Sequence, residues 1–235
     1  MSTLQFDTTG IDSALERNQA FAGAGAHEGA GMFPNLRLFV VTCLDPRVDP
    51  AHFLGLGLGD AMVVRNVGGR VTPEVINDVA FIGQIAEHVL PDGPLFEVAV
   101  IHHSQCGAGA LADDTFRHTY ADRIGAEESS LLEHAVLDPT ATVARDVERL
   151  RSARAIPTRV LVSGHVYDVV TGLMETVVPG AAIGAIDLPE ARLIGPDGRS
   201  ADPTQGRQIG ARPFDDPTQG RRPGSRPGDD PTAPR

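Results

Sequence analysis

The chain has no lysine, no tryptophan and only two cysteines in 235 residues. All 20 of its basic residues are arginine, a bias that coding-sequence composition explains more simply than function does. A formal net charge of −11 argues against a nucleic-acid partner, because such proteins carry a basic patch or stripe. No apolar run is long enough to span a bilayer. Met1 to Gly10 lacks a basic n-region, and no apolar core follows it, so a secretory signal is not expected. These absences favour a protein free of the membrane, in a reducing, cytoplasmic compartment where a structural disulfide is uncommon. Hydrophobic residues still make up 41% of the chain, enough for a real core. The length fits one large domain, or one domain with tails.

The informative residues sit in two short motifs. Cys43-Leu44-Asp45-Pro46-Arg47 closes an apolar run from Leu36 to Thr42. His103-Ser104-Gln105-Cys106 closes a second run, from Phe96 to His102. Both cysteines of the chain lie in these motifs. Taken alone, the two thiols could be inert core residues, which bury well, or a disulfide pair. With His103 they make three good zinc ligands. Catalytic zinc sites use three protein ligands and leave the fourth position to water, whereas structural sites use four. Cys43, His103 and Cys106 are therefore expected to form a single open zinc site, suited to hydration or hydrolysis by a metal-bound hydroxide. The cysteines would bind as thiolates, whose pKa the metal itself depresses. His103 would bind through one ring nitrogen and donate from the other. His102 should point to the opposite side of its strand and serve packing. His52, His118, His134 and His165 fall in no ligand pattern and read as surface or packing residues, with room for one proton shuttle among them.

Asp45 has two options. It can take the fourth zinc position and close the site, or pair with Arg47 and leave that position open. Arginine offers a planar fork that matches a carboxylate bidentately, and the Asp-x-Arg spacing favours the pair near neutral pH. Asp45 would then accept a hydrogen bond from the hydroxide and orient its lone pair. A plain surface ion pair is the bland alternative. Its place two residues from a metal thiolate favours the catalytic role. Gly107 is expected to permit close backbone approach to the metal. Arg65-Asn66-Val67-Gly68-Gly69 reads as a tight loop beside the site.

The fold class is α/β. Strands are expected at Leu36–Thr42, Ala61–Asn66, Phe96–His102 and Arg159–Val166, each short and apolar enough to be buried on both faces. A helix should open at Thr72-Pro73 and run to about Val89, with Val75, Ile76, Val79, Ile82 and Ile85 inward. Another opens at Pro139, with Val143, Val147 and Leu150 inward. Asp168 to Gly172 is a turn that leads into Leu173–Val178 as an edge hairpin. This alternation means a mainly parallel sheet flanked by helices. It puts Cys43 and His103 beyond the carboxyl ends of strands, where such folds bind ligands. Residues 1–35 form an N-terminal arm whose weakly amphipathic helix, Thr9 to Ala22, should pack on a partner subunit. Residues 36–195 form the zinc-binding catalytic domain. Residues 196–235 are rich in Pro, Gly, Asp and Arg, repeat Asp202-Pro203-Thr204-Gln205-Gly206-Arg207 at Asp216 to Arg221, and should be disordered.

At these residues the chain resembles the β-class carbonic anhydrases, in a short actinobacterial-type branch that is also similar to carbonyl sulfide hydrolases. The family pattern is Cys-x-Asp-x-Arg, then Arg-Asn, then His-x-x-Cys-Gly. Here it reads Cys43 to Arg47, Arg65-Asn66 and His103 to Gly107, within about Leu36 to Pro179. The resemblance implies one zinc per chain on Cys43, His103 and Cys106, an Asp45–Arg47 dyad, and reversible hydration of carbon dioxide to bicarbonate. It also implies homodimers or tetramers with the site at a subunit interface. Hydrolysis of carbonyl sulfide or carbon disulfide by the same site is the alternative. A catalytically silent zinc-binding interaction module is a third reading, against which Asp45 and Arg47 weigh.

Overall fold

In a computed structural model the protein is described over residues 10–184. Five strands and six α-helices alternate along these residues. Strands β1 (Leu38–Cys43), β2 (Ala61–Asn66), β3 (Glu97–His103), β4 (Leu161–Tyr167) and β5 (Met174–Ala182) form one sheet in the order β2-β1-β3-β4-β5. The first four run parallel, and β5 returns antiparallel to β4 as the edge hairpin. The sheet is thus mainly parallel, as its unbroken apolar runs require.

Helices α3 (Pro73–Val89) and α6 (Pro139–Ser152) cover one face. Both start where the sequence places proline in the first turn. The Thr72 hydroxyl accepts from Val75 N, and the Asp138 carboxylate accepts from the amides of Thr140 and Ala141. These caps satisfy amides that have no partner inside the helix. Val143, Val147 and Leu150 of α6 are buried, and pack with Val41, Val98, Val100 and Val162 of the sheet. On α3, Val75 and Val79 are buried, while Ile76, Ile82 and Ile85 are only partly covered. The deepest residues of its second half are small ones, Gly83 and Ala86. A Cβ at Gly83 would lie 2.7 Å from Pro157 Cδ, so glycine lets this crossing close. The opposite face carries a smaller cluster of Val40, Ala99 and Ile101, topped by Phe53 and Leu54 at the end of the short α2 (Pro50–Phe53).

Several boundaries differ from those expected. β1 starts at Leu38 rather than Leu36, because Arg37 has a left-handed backbone (φ 49) and its amide turns back to Pro34 O. β3 extends one residue further, so that His103 is its last residue. β5 continues past Val178 through Pro179, which an edge strand tolerates. Helices α4 (Asp114–Ile124) and α5 (Glu128–Glu133) fall where the sequence offers no apolar period. Together they bury one residue, Ala121. Helix α1 (Gly10–Gly23) buries none of its residues. The tail expected to be disordered, 196–235, lies outside the described residues, as does the stretch from 185 to 195.

Candidate metal centre

β1 and β3 are adjacent and parallel, so their carboxyl ends lie side by side. Cys43 ends the first and His103 ends the second. After His103 the chain turns sharply through Gln105, whose φ is 56, and brings Cys106 back toward Cys43. The ligand atoms of Cys43, His103 and Cys106 all lie within 4.8 Å of one another. The two sulfurs are 3.9 Å apart and the cysteines are free. A disulfide would need about 2.05 Å. Two thiolates on a tetrahedral zinc, with bonds of about 2.3 Å, would sit about 3.8 Å apart. The spacing therefore suits a shared metal.

The imidazole points to the same conclusion. His103 Nδ1 lies 2.9 Å from Ser104 O, an acceptor only, so this nitrogen carries the proton and donates. The other nitrogen, Nε2, is buried and has no hydrogen-bond partner. An unpartnered buried acceptor is costly unless something fills it. A soft cation between two sulfurs and this lone pair would do so, and the donor set S, S, N is one that zinc favours. The thiols are strongly unlike each other. The hydrogen bond shared with Cys106, the nearby His103 ring and the amides of Asp45 and Gly68 together pull the Cys43 thiol well below the usual thiol range, against the opposing effect of burial. That same shared proton, with burial, pushes Cys106 up. One thiolate is thus stabilised in the protein's own field.

Asp45 sits beside this cluster, in the arrangement expected of an open site. Arg47 grips it with both prongs, Nε to Oδ1 at 2.9 Å and Nη2 to Oδ2 at 2.6 Å, and the Arg47 amide donates to Oδ1 as well. These hydrogen bonds hold the Asp45 carboxyl down to about 2. The Asp45 side chain is 14% exposed and that of Arg47 47%. Gly107 borders open space: apart from its two chain neighbours, nothing lies within 4 Å of a Cβ built there. The amide that reaches the Cys106 sulfur is that of Ala108. The demanding glycine is Gly69, at φ 65, where a Cβ would stand 2.9 Å from Cys43 N. Of the expected Arg65–Gly69 loop, Arg65 and Asn66 end β2 and only Val67–Gly69 form the turn, which lies against Cys43 through Gly69.

Sequence reasoning assigned no supporting role to three residues that turn out to have one. Arg65 staples the first motif, donating to Cys43 O at 2.9 Å, Asp45 O at 2.7 Å and the Asp49 carboxylate at 3.1 Å. Gln105 accepts from Arg47. Asp146, on α6, is fully buried and binds Arg70 bidentately, at 2.6 and 3.1 Å. His102 faces away from the thiols, as its strand position demands. It is fully buried, with Nε2 3.2 Å from Gly69 O and 3.3 Å from Asp146. Burial pushes the Asp146 carboxyl up, but hydrogen bonds from His102 and Arg70 outweigh it and the net shift is downward. Only Asp146 lay in a helix period, where an acid among valines was the available signal. The remaining histidines stay outside the cluster. His118 pairs with Glu128, His134 with Ser130 O, and His165 with Ser163 and Thr176.

A Cys-His-Cys cluster at the strand ends of an α/β sheet, flanked by a gripped carboxylate, offers three ligands to one metal ion. The chain belongs to the carbonic anhydrase family, whose family model matches residues 38–181. It is 29% identical over 171 residues to beta-carbonic anhydrase 1 of Mycobacterium tuberculosis, covering 73% of this chain and 99% of that protein. It is 28% identical over 184 residues to the carbon disulfide hydrolase of an Acidianus strain, covering 68% of this chain and 85% of that one. Among solved structures, the carbonic anhydrase of Streptococcus mutans aligns with a TM-score of 0.59 at 31% identity, covering 73% and 99% of the two chains.

Proposed function

We propose that the chain is a zinc enzyme that interconverts carbon dioxide and bicarbonate. Cys43, His103 and Cys106 hold one zinc per chain in this reading, and Asp45 with Arg47 serve the position left open. The observation that carries it is the bidentate Asp45–Arg47 pair beside the cluster, since a purely structural zinc site needs neither residue. When bound, zinc supplies the Lewis acidity that brings the pKa of water down to about 7. Arg47 keeps the Asp45 carboxylate off the metal. Asp45, ionised throughout the neutral range, accepts a hydrogen bond from the nucleophile and turns its lone pair toward the substrate carbon. Arg65 fixes the backbone that carries both Cys43 and Asp45. Cys43, made acidic by its neighbours, is ready to bind as thiolate.

Residues 36–195 are the catalytic domain in this reading, and residues 1–35 an arm that reaches a partner subunit in a dimer or tetramer. The bare face of α1 supports that role. A site built on two free thiols suits a reducing, cytoplasmic compartment. No helix among the described residues is long and apolar enough to cross a membrane.

A second reading is favoured by the carbon disulfide hydrolases among the relatives, from Acidianus and from Acidithiobacillus thiooxidans. Carbon disulfide and carbonyl sulfide are linear like carbon dioxide and open to the same attack. Stopped-flow hydration of carbon dioxide by zinc-loaded protein, run beside a sulfide-release assay on both sulfur substrates, tests the choice. Rapid hydration with little sulfide release is the expected result. The reverse ratio favours the second reading, and silence in both assays leaves a zinc-binding module.

A further inference from the structure

We infer that Gln105 is a positioning residue for the Asp45–Arg47 pair: its two oxygens hold the far side of the Arg47 guanidinium and so keep the fork on Asp45. The inference rests on the reading of that pair given above. Arg47 is the most exposed member of the site. A long, half-exposed arginine spends much of its time in water unless more than one group fixes it. On one side Arg47 meets Asp45 through Nε and Nη2. On the other, Nη2 donates to the main-chain carbonyl of Gln105 at 3.1 Å, and Nη1 donates to its side-chain Oε1 at 3.4 Å. Every nitrogen of the guanidinium is engaged, and among the described residues its hydrogen bonds go to Asp45 and Gln105.

The backbone of Gln105 adds a second argument. Its φ of 56 is one of two left-handed values at non-glycine residues among those described. Glycine or asparagine adopts that conformation at less cost than glutamine. Strain of this kind persists where the surroundings over-determine it, and it gathers at functional sites. The turn alone would be better made by glycine. A side chain long enough to return to Arg47 explains why glutamine stands there. Gln105 lies between His103 and Cys106 in sequence, so its contact with Arg47 ties the second motif to the first. The bland alternative is that only the shape of the turn matters, with the amide merely solvated.

Four proteins separate these views: the full-length, zinc-loaded wild type, Gln105→Ala, Gln105→Gly and Gln105→Glu. The first readout does not involve catalysis. An arginine-directed dicarbonyl reagent is applied and Arg47 modification is followed by peptide mapping, with and without zinc. Loss of the amide contact in Gln105→Ala should speed that modification about fivefold, the worth of one ordinary hydrogen bond. Gln105→Gly, which relieves the turn and keeps the carbonyl, should match it. The second readout is carbon dioxide hydration. Gln105→Ala should lower kcat by a similar factor with KM and zinc content unchanged. Gln105→Glu should be worse still, because its carboxylate competes with Asp45 for the fork while leaving Arg47 shielded. A role in turn shape alone would instead make Glu, the nearest in shape, the mildest change, and Gly neutral or beneficial. Wild-type Arg47 reactivity in Gln105→Ala, or a harmless Gln105→Glu in an active enzyme, overturns the inference. Faster Arg47 modification in a protein with no hydration activity upholds the positioning and sinks the hydration reading alone.

Discussion

In the proposed site, Arg47 decides between a closed and an open metal position. Its fork occupies both oxygens of Asp45, the one carboxylate of the first motif able to reach a fourth metal position. Arg47→Ala should therefore lower turnover by about 10²-fold or more, in the range of a lost charge-stabilising contact. Zinc content should stay near one per chain, because none of the three candidate ligands is touched. Metal analysis beside stopped-flow kinetics checks both halves. Parallel losses of zinc and activity would place Arg47 in the fold rather than in the chemistry. At the same scale, His165 makes a pH prediction that is independent of the metal. Burial lowers its pKa below the ordinary 6.5. The unfolded chain then takes up the proton before the folded one does, so stability is full above about pH 6.5 and declines as pH falls below it. Replacement by glutamine should flatten that slope in urea melts run across pH 7 to 5.

At the scale of elements, the two glycines flanking the thiol cluster should behave in opposite ways. Gly69→Ala drives a methyl group into the backbone of Thr42 and Cys43 from a left-handed position, and should cost about 1–3 kcal/mol or more. It should also weaken zinc retention, since β1 carries Cys43. Gly107→Ala meets open space and should be nearly silent in thermal melts. From sequence the two were not separable, because a glycine beside a ligand looks the same whether its crowding neighbour is near or absent. The central strands β1 and β3 were legible because burial on both faces leaves an unbroken apolar run; β2 was read the same way, but it lies at the sheet edge and none of its residues is fully buried. Helices α3 and α6 were legible because each couples a proline start to a repeating apolar face. Helices α4 and α5 were not, since a helix that buries only Ala121 has no apolar period to show. The Cys43–His103–Cys106 cluster and the Asp45–Arg47 pair were legible because their side chains are compressed into two short motifs. Arg65, Gln105 and Asp146 were not, because each acts through a partner far away in sequence.

The last scale is the whole molecule, and α1 carries the argument there. Fourteen residues are a marginal length for a helix in water without tertiary support. This one buries nothing against the rest of the described chain, and leaves Ile11, Leu15 and Phe21 exposed at 61%, 52% and 41%. A helix of that kind needs a surface from elsewhere, and a second copy of the chain supplies one at equal concentration by symmetry. The site should then depend on assembly only indirectly, since Cys43, His103, Cys106, Asp45 and Arg47 all come from one chain. Ile11→Asp with Leu15→Asp should accordingly shift the mass measured by light scattering from dimer or tetramer toward monomer. The far-UV spectrum should lose no more than a short helix, and zinc should remain bound. An unchanged mass would remove α1 from the interface and leave its apolar side chains without an explanation at this scale. Loss of zinc together with loss of assembly would show instead that the partner props the metal site, and that one chain does not complete it.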